Sequence, residues 1–231
     1  MRRNLGILIV LAAGCRQDSS GLSAAGVSLG GEPAAAMVLP GATGSRTVPE
    51  VVAQIQHCRA RRHYADLERW LIPARRSTTT ILLRAVDRLM DANRRVQRAA
   101  AARFGPDAAS PWDLSEVRDN LGLLSERSRL VRWNEHDTWA EVVIQEADRL
   151  PLRYERFERQ DGQWLYAAPR VEPPLIKALE KLILVVDSIS DRLSDPAFGV
   201  DDMDRAFRHR AGPLIFSVSA RDANDRPDPG G

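Results

Sequence analysis

The apolar pattern of this chain changes its period once, and that change limits the folds open to it. Between residues 78 and 103 apolar side chains recur every three or four positions, at Leu82, Val86, Leu89, Val96 and Ala100, which is the spacing of one helix face. Between 139 and 145 the repeat is two: Trp139, Glu141, Val143 and Gln145 alternate with Ala140, Val142 and Ile144. That is the pattern of a strand with two unlike faces. Four segments, 127–134, 138–146, 150–158 and 163–168, are rich in Val, Trp, Tyr, Ile and Leu. Asn134-Glu135-His136-Asp137 and Asp161-Gly162 supply turns between them, the second a strong hairpin signal. Helices first and a four-stranded antiparallel meander second predict an α+β fold, because an α/β chain would alternate the two.

The helical segments carry their own punctuation. Thr47-Val48-Pro49-Glu50 has the form of a capping box ahead of apolar positions 51, 52, 55 and 58. A second helix is predicted over 64–72, with Tyr64, Leu67 and Leu71 inward and Pro73 as its stop. Ser77 is placed to cap the long helix, on which Asp91 and Arg95 form a surface pair. Ser110-Pro111 opens a short helix that Gly122 ends. A further amphipathic helix is predicted over 174–193, entered through Pro173-Pro174 and expected to pack on the sheet. Lys177, Glu180, Lys181, Asp187 and Asp191 interrupt it, so it is no membrane span. A short helix over 201–209 and an edge strand over 214–218 complete the reading.

The first fifteen residues point to an address. Arg2 and Arg3 precede a short apolar run, Leu5 to Leu11, and then small residues, which is a signal-peptide pattern. The run is too short to span a bilayer, which takes about 20 residues. Ala12-Ala13-Gly14-Cys15 resembles the lipobox of bacterial lipoproteins, although Leu is commoner there at the place of Ala12. The resemblance implies cleavage after Gly14, a thioether from Cys15 to diacylglycerol, and acylation of the new amine. An ordinary cleaved signal followed by an unmodified cysteine is the alternative. The expected organisation is a signal peptide at 1–14, a Ser-, Gly- and Ala-rich tether at 15–46, one domain at 47–220 and a disordered tail at 221–231. The expected location is the cell envelope, lipid-anchored through Cys15. In a Gram-negative cell Arg16 in place of Asp implies the outer membrane, facing the periplasm.

Charge excludes some partners. The chain has 33 basic and 31 acidic residues, and loss of Arg2 and Arg3 with the signal leaves the two signs equal. No nucleic-acid role and no anionic-membrane role is expected from such a balance. Arginine runs such as Arg59-Ala60-Arg61-Arg62 read as solvated faces. Two cysteines exclude a disulfide framework and a multi-cysteine zinc site. Cys58 and His63 lie about 140° apart on a helix, so no metal is expected with His57, Cys58 and His63, nor any other cofactor. Cys58 reads as a buried apolar residue, the histidines as surface ones. His136-Asp137 is explained as turn chemistry.

Two or three helices followed by a twisted meander resemble the NTF2-like, cystatin-like superfamily. The likeness rests on residues 51–73, with Tyr64-Ala65-Asp66-Leu67, and on the hairpin 154–166 around Asp161-Gly162-Gln163-Trp164. It implies a cone-shaped cavity, with a carboxylate inside and aromatic walls. Asp66, Tyr64 and Tyr154 are the weak catalytic candidates it suggests, with Trp133 and Trp139 as walls. The plainer alternative has Asp66 in solvent and the aromatics packing the sheet. The helix after the last strand departs from the simplest members of that superfamily. No P-loop, GxGxxG, GxSxG or HExxH motif occurs. The expected function is that of an envelope lipoprotein with a non-catalytic binding or protein-interaction domain. The alternatives are a hydrolase- or isomerase-like cavity and a mainly structural envelope component.

Overall fold

The computed structural model describes residues 46–108, 114, 117, 121–146, 152–211 and 213–214. The signal, lipobox and most of the tether lie outside them, as do most of the helix expected after Ser110, residues 215–218 of the expected strand, and the tail; Leu214, where that strand was to begin, is helical instead.

Three helices open the fold: α1 (Val48–Ala60), α2 (Tyr64–Glu68) and α3 (Arg76–Phe104). The capping box forms, with the Glu50 carboxylate accepting from the Thr47 N–H at 2.7 Å and from its hydroxyl at 3.0 Å. The second helix ends earlier than its pattern predicts. The Trp70 carbonyl accepts from the Tyr166 N–H at 2.7 Å, and the Ile72 N–H donates to the Tyr166 carbonyl at 3.1 Å. Residues 70–72 therefore run along a strand instead of finishing the helix. Pro73 opens a 3-10 turn (Pro73–Arg75) that leads straight into α3, consistent with the preference of proline for first turns. Ser77 thus sits inside the first turn of α3 rather than before it.

The meander is as expected. β1 (Ser128–Glu135), β2 (Trp139–Glu146), β3 (Arg153–Gln160) and β4 (Gln163–Tyr166) pair antiparallel in the order β1-β2-β3-β4. Asp161 and Gly162 form a two-residue hairpin with φ of +50° and +77°, the mirror-image turn whose twist suits the strands. A 3-10 turn (Gly122–Leu124) precedes β1. Register puts Ala140 opposite Phe157, Val142 opposite Glu155 and Phe157 opposite Tyr166. These residues share the inner face, and Val142, Phe157 and Tyr166 join the main core. Val143 and Leu165 are buried on the other face, apart from that core.

Two further helices follow, α4 (Pro173–Arg192) and α5 (Val200–Arg210). The main partner of α4 is α3 rather than the sheet. Arg95 reaches Asp187 at 2.7 Å, and Arg103 donates to the carbonyls of Leu193, Asp195 and Pro196 at 2.7, 2.7 and 2.8 Å. Residue numbers rise together along both helices, so α3 and α4 lie parallel and the whole sheet is the connection between them. Asp91 pairs with Arg62 and Arg94 instead of Arg95. Among the described residues no helix is long and apolar enough to cross a membrane. The class is α+β.

Candidate functional site

The densest polar chemistry of the domain lies where α1, α3 and the start of the sheet meet at the Gly122–Leu124 turn. On the helical side, Arg59 is 1% exposed and grips Asp87 with both guanidinium arms, at 2.8 and 2.6 Å. Its third donor, Nε, reaches the Leu124 carbonyl at 3.2 Å. Tyr64 donates its hydroxyl to Asp87, and Arg62 stands 3.4 Å from the same carboxylate. Burial and the bond to Asp87 push the Tyr64 phenol up to about 12. Arg62 also binds Asp91 through a two-armed contact at 2.9 and 3.0 Å, which holds the Asp91 carboxyl below its usual range. A buried ion pair persists only when its hydrogen bonds replace the lost water; here every Arg59 arm has an acceptor.

The sheet side of the same turn holds two carboxylates. Glu146 accepts from the Gly122 N–H and pairs with Arg153. Glu155, inward-facing and buried, accepts from the Tyr166 hydroxyl at 2.7 Å and from the Leu123 N–H. Burial raises Glu155 to about 6, against the opposing pull of those two donors. Burial, then the charge of Glu155, raises the Tyr166 phenol well above its ordinary value. Gly122 is required on two counts: its φ is +61°, and a Cβ there would sit 2.3 Å from Glu155 Oε1. Ser128 completes the turn by donating to the carbonyls of Leu123 and Ser125, at 3.2 and 2.9 Å, while Gln56 of α1 donates to the Ser128 carbonyl at 2.9 Å.

The candidates suggested by the sequence do not converge. Tyr64 belongs to the Asp87 cluster. The Asp66 side chain is 54% exposed, near His63 and Arg69. Tyr154 is 42% exposed and, opposite Val143, lies on the outer face of the sheet. Trp139 shares that outer face and stacks on His136 with ring centroids 4.0 Å apart, while Trp133 is half exposed on β1. Cys58 is buried, which raises its thiol, and His57 and His63 are exposed. No group of three potential metal ligands occurs among the described residues. Arg59 overturns the reading of its run as a solvated face. Glu155 and Tyr166 were missed, although Glu155 is in phase with inward Phe157, a signal the strand pattern already held.

No family model, curated protein or solved structure matches the chain.

Chemically, Glu155 could exchange a proton in mildly acidic water. A general base must also reach the proton it takes. Each oxygen of Glu155 is instead turned toward the protein's own groups, Tyr166 and the Gly122-Leu123 backbone. The geometry is that of a clamp, holding one turn between the helices and the sheet.

Proposed function

We propose that the protein is a lipid-anchored envelope lipoprotein whose α+β domain is a non-catalytic binding or protein-interaction module. The observation that carries the anchor is Ala12-Ala13-Gly14-Cys15 standing directly after two arginines and a short apolar run. Two or more acyl chains on Cys15 would make attachment stable, since each buried CH₂ contributes about 0.8 kcal/mol. The non-catalytic reading is supported by the polar groups themselves: Asp87, Glu146 and Glu155 are each engaged by arginine, tyrosine or backbone donors. Exposed Val131 and Trp133 on β1, the free edge of the described sheet, are available to a protein partner.

Cells fed an alkyne-tagged palmitate should label the wild-type protein and not the Cys15→Ser variant. Equal labelling, or a cytosolic protein with residues 1–14 still attached, overturns the anchor. Cross-linking in intact cells should then capture a defined envelope protein, and Trp133→Ala should weaken that capture. A partner-free native mass after repeated cross-linking argues against the interaction module.

A further inference from the structure

The near balance of charge over the whole chain conceals a separation within it. Residues 46–104 contain thirteen arginines and only five acidic residues, while residues 105–231 contain seventeen basic and twenty-four acidic ones. Within the basic part, one stretch combines positive charge with apolar and aromatic surface. Arg69 is 78% exposed, and Pro73 and Ala74 are exposed on the link between α2 and α3, which ends at the half-buried Arg75. Trp70 is half-buried, with the Arg46 guanidinium 4.9 Å from its ring centroid. The acidic groups nearby are weakly opposed or committed. Asp66 stands 3.8 Å from Arg69 with both side chains in solvent, and Glu68 accepts from Thr80.

Arg46 is also where the chain leaves the proposed tether. Residues 16–46 join Cys15 to it, so covalent geometry keeps this corner within about 100 Å of an anchored thiol. Arginine, tryptophan and small apolar side chains on one exposed link are what a headgroup layer accepts: the cations meet lipid phosphates, and the indole lies at the polar–apolar boundary.

We propose that the link between α2 and α3, through Arg69, Trp70 and Arg75 with Arg46, docks the domain on anionic lipid headgroups of the membrane that holds its anchor. This rests on the lipoprotein reading for its choice of surface.

The test uses the processed chain, residues 15–231, carrying Cys15→Ser, so that neither an acyl group nor the signal peptide contributes. Flotation with vesicles of phosphatidylglycerol and phosphatidylcholine is compared with flotation on phosphatidylcholine alone. Binding should favour the anionic vesicles and fall with salt. Adding Arg69→Gln and Arg75→Gln should weaken anionic-vesicle binding about 25-fold, at roughly fivefold per arginine. Arg205→Gln with Arg208→Gln on α5 removes the same charge elsewhere and should leave binding unchanged. Equal binding to both vesicle types, or equal loss in the two double variants, overturns the proposal. Arg69→Gln alone, at a side chain in solvent, should keep the parent's thermal unfolding and lose about fivefold in anionic-vesicle binding, and no loss there overturns the proposal as well. Palmitate labelling of the wild-type chain separates the two ideas. Labelled protein without vesicle preference sinks the docking face alone; vesicle preference without label sinks the anchor alone.

Discussion

Gly122 and Glu155 are bound to one another's geometry. The turn needs a positive φ at 122, and the carboxylate fills the space that a side chain there would take. Glu155 has little room to retreat, because Tyr166 and the Leu123 N–H hold it. Gly122→Ala should therefore cost about 2–4 kcal/mol in urea unfolding, from left-handed strain plus overpacking. The cost should shrink in a Glu155→Ala background, which a double-mutant cycle reads as coupling. Glu155 also makes a pH prediction of fixed sign. Its folded carboxyl is raised to about 6 from an ordinary 4.5, so the folded chain holds this proton more tightly than the unfolded one. The contribution is complete below pH 4.5 and is lost as pH rises through 6, by about 2 kcal/mol. Glu155→Gln cannot titrate. Stability of the wild type relative to that variant should fall by this amount between pH 4 and 7, and a pH-independent difference would refute the assignment.

At the scale of elements, the strands were legible because alternation by two is a local signal. β1, β2 and β3 each begin within three residues of the expected place, and the Asp161-Gly162 hairpin is as read. The helix ends that failed did so for tertiary reasons. Nothing near Trp70 announces that its carbonyl will be claimed by Tyr166, nearly a hundred residues on. Asp91 likewise had Arg95 at the favoured spacing, yet Arg62 and Arg94 hold it, and Arg95 turns to Asp187. The buried Arg59 was hidden because its run reads as charge, whereas the apolar positions 51, 52, 55 and 58 put 59 beside the inward face. One further element-scale contact carries a prediction. Arg103 gathers three carbonyls at the end of α4, where helices leave acceptors unpaired. Arg103→Ala should destabilise the domain by about 1–3 kcal/mol. Amide exchange should quicken first in the last turn of α4, and uniform quickening would deny the capping role.

Across the whole molecule, Arg59 joins helices and sheet through a single side chain: two arms on α3 and one on the turn that Glu146 and Glu155 hold from the strands. Asp87→Asn leaves a buried guanidinium without its counter-charge and should cost about 3–5 kcal/mol. Three of the five tryptophans, Trp133, Trp139 and Trp164, stand on strands, so fluorescence of a Trp70→Phe, Trp112→Phe background reports on the sheet, while far-ultraviolet dichroism follows the helices. In this variant the two signals should shift to lower urea together; separate midpoints would mean that the layers are not coupled through this pair. The site as a whole was less legible than the fold. Its groups come from three helices, a turn and all four strands, and no spacing along the chain brings those together.

The parallel run of α3 and α4 has a consequence for how the protein is made. The helix that covers α3 lies about ninety residues downstream of the positions it contacts. At roughly 5–20 residues per second, a ribosome delivers it several seconds after α3 is complete. Throughout that interval the face of α3 beside Arg95 and Arg103 waits undressed, an inviting target for a holdase chaperone while the chain is still being synthesised.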